Sequence, residues 1–110
     1  MPALGDMLSA VTAAVDSAQV VVAAVPIRDV LEQARRSSAG MILVLAGPEL
    51  GAADRAALLA TIGPLAVELA PVRRIGALDL TRDASIVDGI AAARFLTDAE
   101  STTGQILRIG

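Results

Sequence analysis

A long apolar helix between two short apolar runs constrains this chain more than any other feature. Between Gly51 and Pro71, apolar residues recur at three- and four-residue steps and so form one stripe along a helix. The stripe consists of Leu58, Ile62, Leu65, Ala66 and Leu69. Runs rich in Val, Ile and Leu lie on either side, at Met41 to Ala46 and at Val72 to Leu80. Together they predict a β-α-β unit, which joins parallel strands by a right-handed crossover.

One dipeptide conflicts with this helix. Gly63-Pro64 lies inside it, and an interior proline removes a backbone hydrogen bond at a cost of roughly 3 kcal/mol. We therefore expect a kink at this point, or a break with Pro64 as the first residue of a second segment.

The flanking sequence continues the alternation of helices and strands. Helices are predicted over Ala3 to Asp16 and Ile27 to Arg36, and a further helix is predicted after Asp83, which can cap it. Gln105 to Ile109 forms a last strand. The predicted fold class is α/β, a single domain over residues 1–110 with about four parallel strands and flanking helices.

The segment Gln19 to Val25 admits two interpretations. It is short and β-branched and ends at Pro26, which favours a buried strand. Alternatively, a single helix runs from Leu4 through Val25. We prefer the strand.

Composition excludes several classes of function. The chain has 110 residues and a net charge of −3, and its nine basic residues are scattered arginines, so nucleic acid is a poor partner. It has no Cys, which excludes a disulfide framework, and without Cys or His it lacks the usual ligands of a zinc site. No apolar run approaches the roughly 20 residues of a membrane span. We expect a soluble cytoplasmic protein without membrane, metal or nucleic-acid partners.

Two stretches resemble one protein family. "AALLATIGPLAVELAP" is similar to the long helix of short-chain dehydrogenases/reductases (SDRs), and "IVDGIAAARFLTDAESTTGQILRIG" is similar to the end of their fold. The chain resembles the C-terminal half of 3-oxoacyl-ACP reductase-type members. It implies a partial Rossmann-like fold, half of a doubly wound parallel sheet, without the family's N-terminal half and the glycine-rich turn there that binds NAD(P).

The resemblance also locates the family's catalytic positions, and none keeps its functional residue. Counted along the long helix, the family's Tyr falls on Gly51 and its Lys on Arg55; its Ser falls near Gly47 and its Asn-Asn on Ala23-Ala24. Glycine has no side chain that could donate a proton, and arginine cannot replace a lysine amine whose pKa can be adjusted. We therefore expect no catalytic, cofactor-binding or metal-binding residues and no cofactor.

The part of the family's fold that this chain resembles is the part through which these proteins assemble. In relatives the long helix packs in a four-helix dimer contact, and the last strand meets its symmetry mate. The half sheet would also leave Val20 to Val25 with an unpaired edge. The candidate interface residues are Leu58, Leu59, Ile62, Leu65, Val67, Leu69, Ile106 and Leu107. Among these, Leu59 and Val67 are expected to face outward.

Two hypotheses of function follow. The first is a non-catalytic subunit that associates with a complete reductase of the family, for example in fatty-acyl or polyketide biosynthesis. The alternative is a self-associating homodimer that binds a small molecule at the strand ends around Gly47 and Asp79, without redox activity. A new activity based on Asp79, Asp83 or Glu49 is a third possibility. Arg35-Arg36 and Arg73-Arg74 are interpreted as solvated ends of elements.

Overall fold

The computed structural model describes residues 3–110, and the predicted order of helices and strands is confirmed over them. The helices are α1 (Leu4–Ala14), α2 (Ile27–Arg36), α3 (Ala52–Leu69) and α4 (Ile86–Asp98). The strands are β1 (Ala18–Val22), β2 (Met41–Ala46), β3 (Arg74–Leu80) and β4 (Gln105–Ile109).

The strands form one parallel sheet in the order β1-β2-β3-β4. All six residues of β2 are buried, as expected for a central strand covered on both faces. The α/β, Rossmann-like fold class predicted from the sequence is confirmed.

Helices cover the two faces of the sheet in pairs. Residues of α2 and α3 pack with Ile42, Val44 and Ile75 in one hydrophobic cluster, and residues of α1 and α4 pack with Leu43 and Leu78 in the other. The strand order advances in one direction throughout, yet α4 lies on the face opposite to α2 and α3. The crossover through α4 therefore has the opposite hand to the first two crossovers, which allows α4 to pack beside α1.

Three local predictions need correction or refinement. Gln19 to Val22 is a strand, as preferred, so the single long helix to Val25 is wrong; the strand begins at Ala18 and ends before Ala23. Helix α3 runs through Pro64 without a break. The N-cap of α4 is Ser85 rather than Asp83, because the Ser85 hydroxyl accepts a hydrogen bond from the Asp88 N–H at 3.1 Å.

Close helix packing depends on a glycine. A Cβ atom at Gly89 of α4 would lie 2.5 Å from the sulfur of Met7, which is fully buried on α1. Glycine at this position allows the two helices to approach. Within residues 3–110, no helix is long and apolar enough to cross a bilayer.

Candidate functional site

Arg55 links the carboxyl ends of the two central strands. It lies in the first turns of α3, and its guanidinium donates to the Ala46 carbonyl at 3.3 Å, to the Gly47 carbonyl and to the Asp79 carboxylate. Ala46 and Asp79 are partners in the register of β2 and β3, so the arginine spans both strands. The Arg55 and Asp79 side chains are 20% and 15% exposed. This ion pair is therefore well shielded from solvent.

A cleft of about 230 Å³ opens beside this ion pair. Its lining includes Asp79 together with three arginines, namely Arg55, Arg82 and Arg108. Its local charge is therefore positive, although Arg55 is already bound by Asp79 and two carbonyls. Asp83 and Glu49, the other carboxylates considered for chemistry, are exposed and do not line it.

The other family positions meet in an apolar cleft at the same edge of the sheet. Ala23, Ala24 and Gly47 line a space of about 260 Å³ together with Leu4 and Glu49. A Cβ atom at Gly47 would lie 2.9 Å from the Leu4 side chain, so that leucine occupies the room in which a larger residue would sit. Gly51 is exposed at the N-cap of α3, where its carbonyl accepts from the Arg55 N–H at 2.8 Å.

Half of the predicted interface residues belong to the core of the chain itself. Leu58, Ile62, Leu65 and Leu69 are at most 5% exposed and pack under α3 against the sheet. They cannot contact another molecule while the chain is folded, so their place in the predicted interface is corrected to the core. Leu107 is partly buried against the cluster on the opposite face, beside α4.

The remaining predicted residues on the α3 side of the sheet differ in their exposure. Val67 is 79% exposed and Ile106 is 39% exposed, whereas Leu59 is partly buried against the core. Ile106 pairs with Ala77, which packs under α3, so Ile106 lies on the α3 face of the sheet. Gly104, just before β4, approaches α3 at Ala66. Val67 and Ile106 are therefore both exposed on the α3 side of the sheet.

The outward face of α3 carries little charge. Ten of its residues are exposed, and of these only Asp54 and Glu68 are charged. The others are Ala52, Ala53, Ala56, Ala57, Ala60, Gly63, Pro64 and Val67. Glu68 is engaged by Arg35 of α2 at 2.8 Å. The hydrogen bond from that guanidinium holds the pKa of Glu68 below its ordinary value. A helix that is apolar on all sides is usually covered by another element.

The sequence interpretation missed the role of Arg73 and Arg74. Arg73 donates to carbonyls at the end of α2, including that of Arg35 at 3.0 Å, and Arg74 donates to carbonyls at the end of α4, including that of Thr97 at 2.9 Å. Successive side chains at the start of a strand point to opposite faces, so adjacent arginines reach helices on opposite sides. The interpretation of Arg73-Arg74 as solvated ends is therefore wrong.

Comparison with known families agrees with this architecture. The model of the SDR-like family, described as short chain dehydrogenase-like protein, matches residues 7–109. No curated protein and no solved structure matches the chain. The family match spans nearly every element of the fold, from α1 to β4. The chain belongs to the short chain dehydrogenase-like family.

Proposed function

We propose that this chain is a non-catalytic subunit that associates with a complete reductase of its own family, of the 3-oxoacyl-ACP reductase type. The observation that carries the proposal is the weakly charged outward face of α3, continued by the exposed side chains of Val67 and Ile106. The family resemblance implies that, in relatives, a helix of a second subunit packs against the helix that corresponds to α3. Small residues along a helix let a second helix approach closely, and each large aliphatic side chain buried there contributes roughly 1.5–3 kcal/mol.

The residues at the strand ends support the absence of catalysis. The family's acid position is Gly51, which has no side chain, and its amine position is Arg55, whose guanidinium is bound by Asp79 and Gly47. The room beside Gly47 is taken by Leu4. Carbonyl reduction needs a proton donor near the substrate oxygen, and these positions supply none.

The alternative, a small-molecule-binding homodimer, has weaker support. The clefts at the strand ends measure about 230 and 260 Å³. Ligand pockets are usually roughly 300–1,000 Å³. A positive cleft of this size suits at most a small anion, whereas the face of α3 is long enough for a protein contact.

Coexpression with a complete 3-oxoacyl-ACP reductase from the same genome tests the association. We expect the two chains to purify as a stable heteromer. Val67→Asp should weaken it at least about tenfold, because a charge would be buried at the contact. Val87→Asp is the matched control, since Val87 is 76% exposed on α4. Equal losses in both variants, or no heteromer at all, would overturn the proposal.

A cofactor-binding measurement tests the second part of the proposal, that the subunit is non-catalytic. We predict that the chain alone does not bind NADPH at micromolar concentrations, because it has no glycine-rich turn to meet the pyrophosphate. The measurement is a calorimetric or fluorescence titration. Micromolar affinity would contradict the prediction. Gly51→Tyr combined with Arg55→Lys should likewise remain inactive as a reductase.

A further inference from the structure

The outer edge of β1 is a second surface with unused hydrogen-bonding groups. Ala23 N–H donates to the Leu45 carbonyl of β2 at 2.8 Å. Backbone groups of alternate strand residues point the same way, so Val21 also faces β2, whereas Val20 and Val22 turn their N–H and C=O groups outward. Among residues 3–110 no strand pairs with that side of β1. The edge therefore offers two donors and two acceptors in register.

This edge is better suited to pairing than the edge at the other end of the sheet. The sequence of β1, Ala-Gln-Val-Val-Val, contains no charge, whereas β4 carries Arg108 on its exposed side. Charged residues are a common means of blocking edge-to-edge contact. Beside β1 runs a groove of about 600 Å³, lined by Leu8 on one face of the sheet and by Gln33 and Arg36 on the other.

Helix α2 carries charges in an order that complements itself. Asp29, Gln33 and Arg36 are spaced at four and three residues, so they lie along one side of the helix, and all three are exposed. The helix runs opposite to β1, because Ser37 at its end donates to Gln19 at the start of the strand at 2.6 Å. When two such helices lie antiparallel, the acidic end of each meets the basic end of the other.

We propose that two copies of this chain pair through β1, antiparallel and about a two-fold axis at Val21, to form one continuous sheet. Val20 of each copy then exchanges two hydrogen bonds with Val22 of the other, because outward-facing residues form the hydrogen-bonded pairs of an antiparallel ladder. Val21 lies opposite its own symmetry mate.

The same axis places the two α2 helices on one face of the sheet. Asp29 and Arg36 are about 10 Å apart along the helix, and β1 is about 16 Å long, so both ends of the helix overlap the paired strands. Arg36 of each copy is then directed to Asp29 of the other. Its present partner, Glu32 at 3.6 Å, is an exposed pair that is easily exchanged.

Disulfide trapping tests the register, since the chain contains no cysteine of its own. Residues directly opposite in a non-hydrogen-bonded antiparallel pair have Cβ atoms about 4.5–5.5 Å apart, close to disulfide geometry. Val21→Cys should therefore give a covalent dimer under mild oxidation. Val20→Cys, on the same edge but offset from its own mate, is the control and should stay largely uncrosslinked. Equal crosslinking of the two variants would overturn the proposed register.

Charge reversal tests the pairing without touching the core. Sedimentation should show that the wild-type chain is a dimer, and that Asp29→Arg or Arg36→Asp alone weakens it about tenfold or more through like-charge contacts. The double variant Asp29→Arg/Arg36→Asp should restore the affinity to within about threefold of wild type. Arg28→Glu, elsewhere on α2, is the control and should leave the affinity unchanged.

The outcomes separate this proposal from the proposed function. A wild-type chain that stays monomeric at about 100 µM, or a double variant that is not rescued, overturns β1 pairing and leaves the heteromer untouched. Because Val21 is 3% exposed, the reduced Val21→Cys variant must first show a melting temperature near that of the wild type. If it does not fold, the charge-reversal series decides.

Discussion

At the scale of single residues, Arg55 has a structural role. Its guanidinium binds the ends of β2 and β3 together through two carbonyls and a carboxylate. A lysine could not replace it, because a single ammonium group lacks the planar set of donors that reaches all three acceptors. The resemblance assigns this position to a catalytic amine, but here the residue holds the carboxyl ends of β2 and β3 together.

We predict that Arg55→Leu lowers the free energy of unfolding by about 2 kcal/mol, because it leaves Asp79 without its charged partner in a shielded site. Urea denaturation measures the change. Arg55→Leu/Asp79→Leu should recover part of the loss, since the unpaired carboxylate is then removed as well. Arg82→Leu, at an exposed position of the same cleft, should change stability by less than about 0.5 kcal/mol. A loss as large at Arg82 would contradict this role for Arg55.

At the scale of elements, α3 keeps two residues that disfavour helices. Pro64 cannot donate to the Ala60 carbonyl, and Gly63 beside it is exposed, with open space around its Cβ position. We predict that Pro64→Ala raises the free energy of unfolding by about 1–3 kcal/mol and Gly63→Ala by about 1 kcal/mol. Thermal and urea denaturation measure both. A loss of stability in either variant would show that the residue makes a packing contact that alanine cannot replace.

The stability that the α2–α3 contact contributes should depend on pH, and the direction of that dependence can be predicted. The hydrogen bond from Arg35 lowers the pKa of Glu68 in the folded chain. A lowered folded pKa contributes stability that is present above the unfolded pKa and is lost as pH falls through the folded pKa. Glu68→Gln should therefore be slightly less stable than the wild type at pH 7, and the difference should shrink in acid. Melting temperatures from pH 7 to pH 3 measure it; a gap that widens in acid would contradict it.

Most of the fold could be predicted because each element carries its own periodic signal. For three elements, the bounds predicted from the sequence are those of the structure: Ile27 to Arg36, Met41 to Ala46 and Gln105 to Ile109. Contacts between distant residues carried no such signal. Arg55 and Asp79 are 24 residues apart and meet only because β2 and β3 are neighbours in register.

The interface was harder to predict because periodicity marks an apolar stripe without showing what covers it. Leu58 and Val67 were both apolar residues of one helix, yet the sheet buries the first and leaves the second exposed. Leu59 lies between these cases, partly buried against the core. A charge at Leu59 would disturb folding as well as association, so Val67 is the cleaner position to test.

At the scale of the whole molecule, the two proposed contacts use different surfaces: one is the outer edge of β1, and the other is the outward face of α3 together with Ile106 of β4. β1 and β4 are separated by β2 and β3, hence by about 15 Å. The first surface offers backbone groups and the complementary charges of α2, and the second offers the weakly charged face of α3. A dimer joined at β1 would therefore leave both α3 faces free, and each could bind one reductase subunit.

We predict that the two contacts are energetically independent. Val67→Asp should weaken the heteromer while the β1-paired dimer keeps its dissociation constant, and Arg36→Asp should do the reverse. Groups more than about 7–10 Å apart without shared partners usually act additively, so the double variant should show a coupling free energy below about 0.5 kcal/mol. Sedimentation of the chain alone and titration with the reductase measure the two constants separately. Dissociation of the homodimer by Val67→Asp would instead place the self-contact on α3 and leave the edge of β1 without a role in assembly.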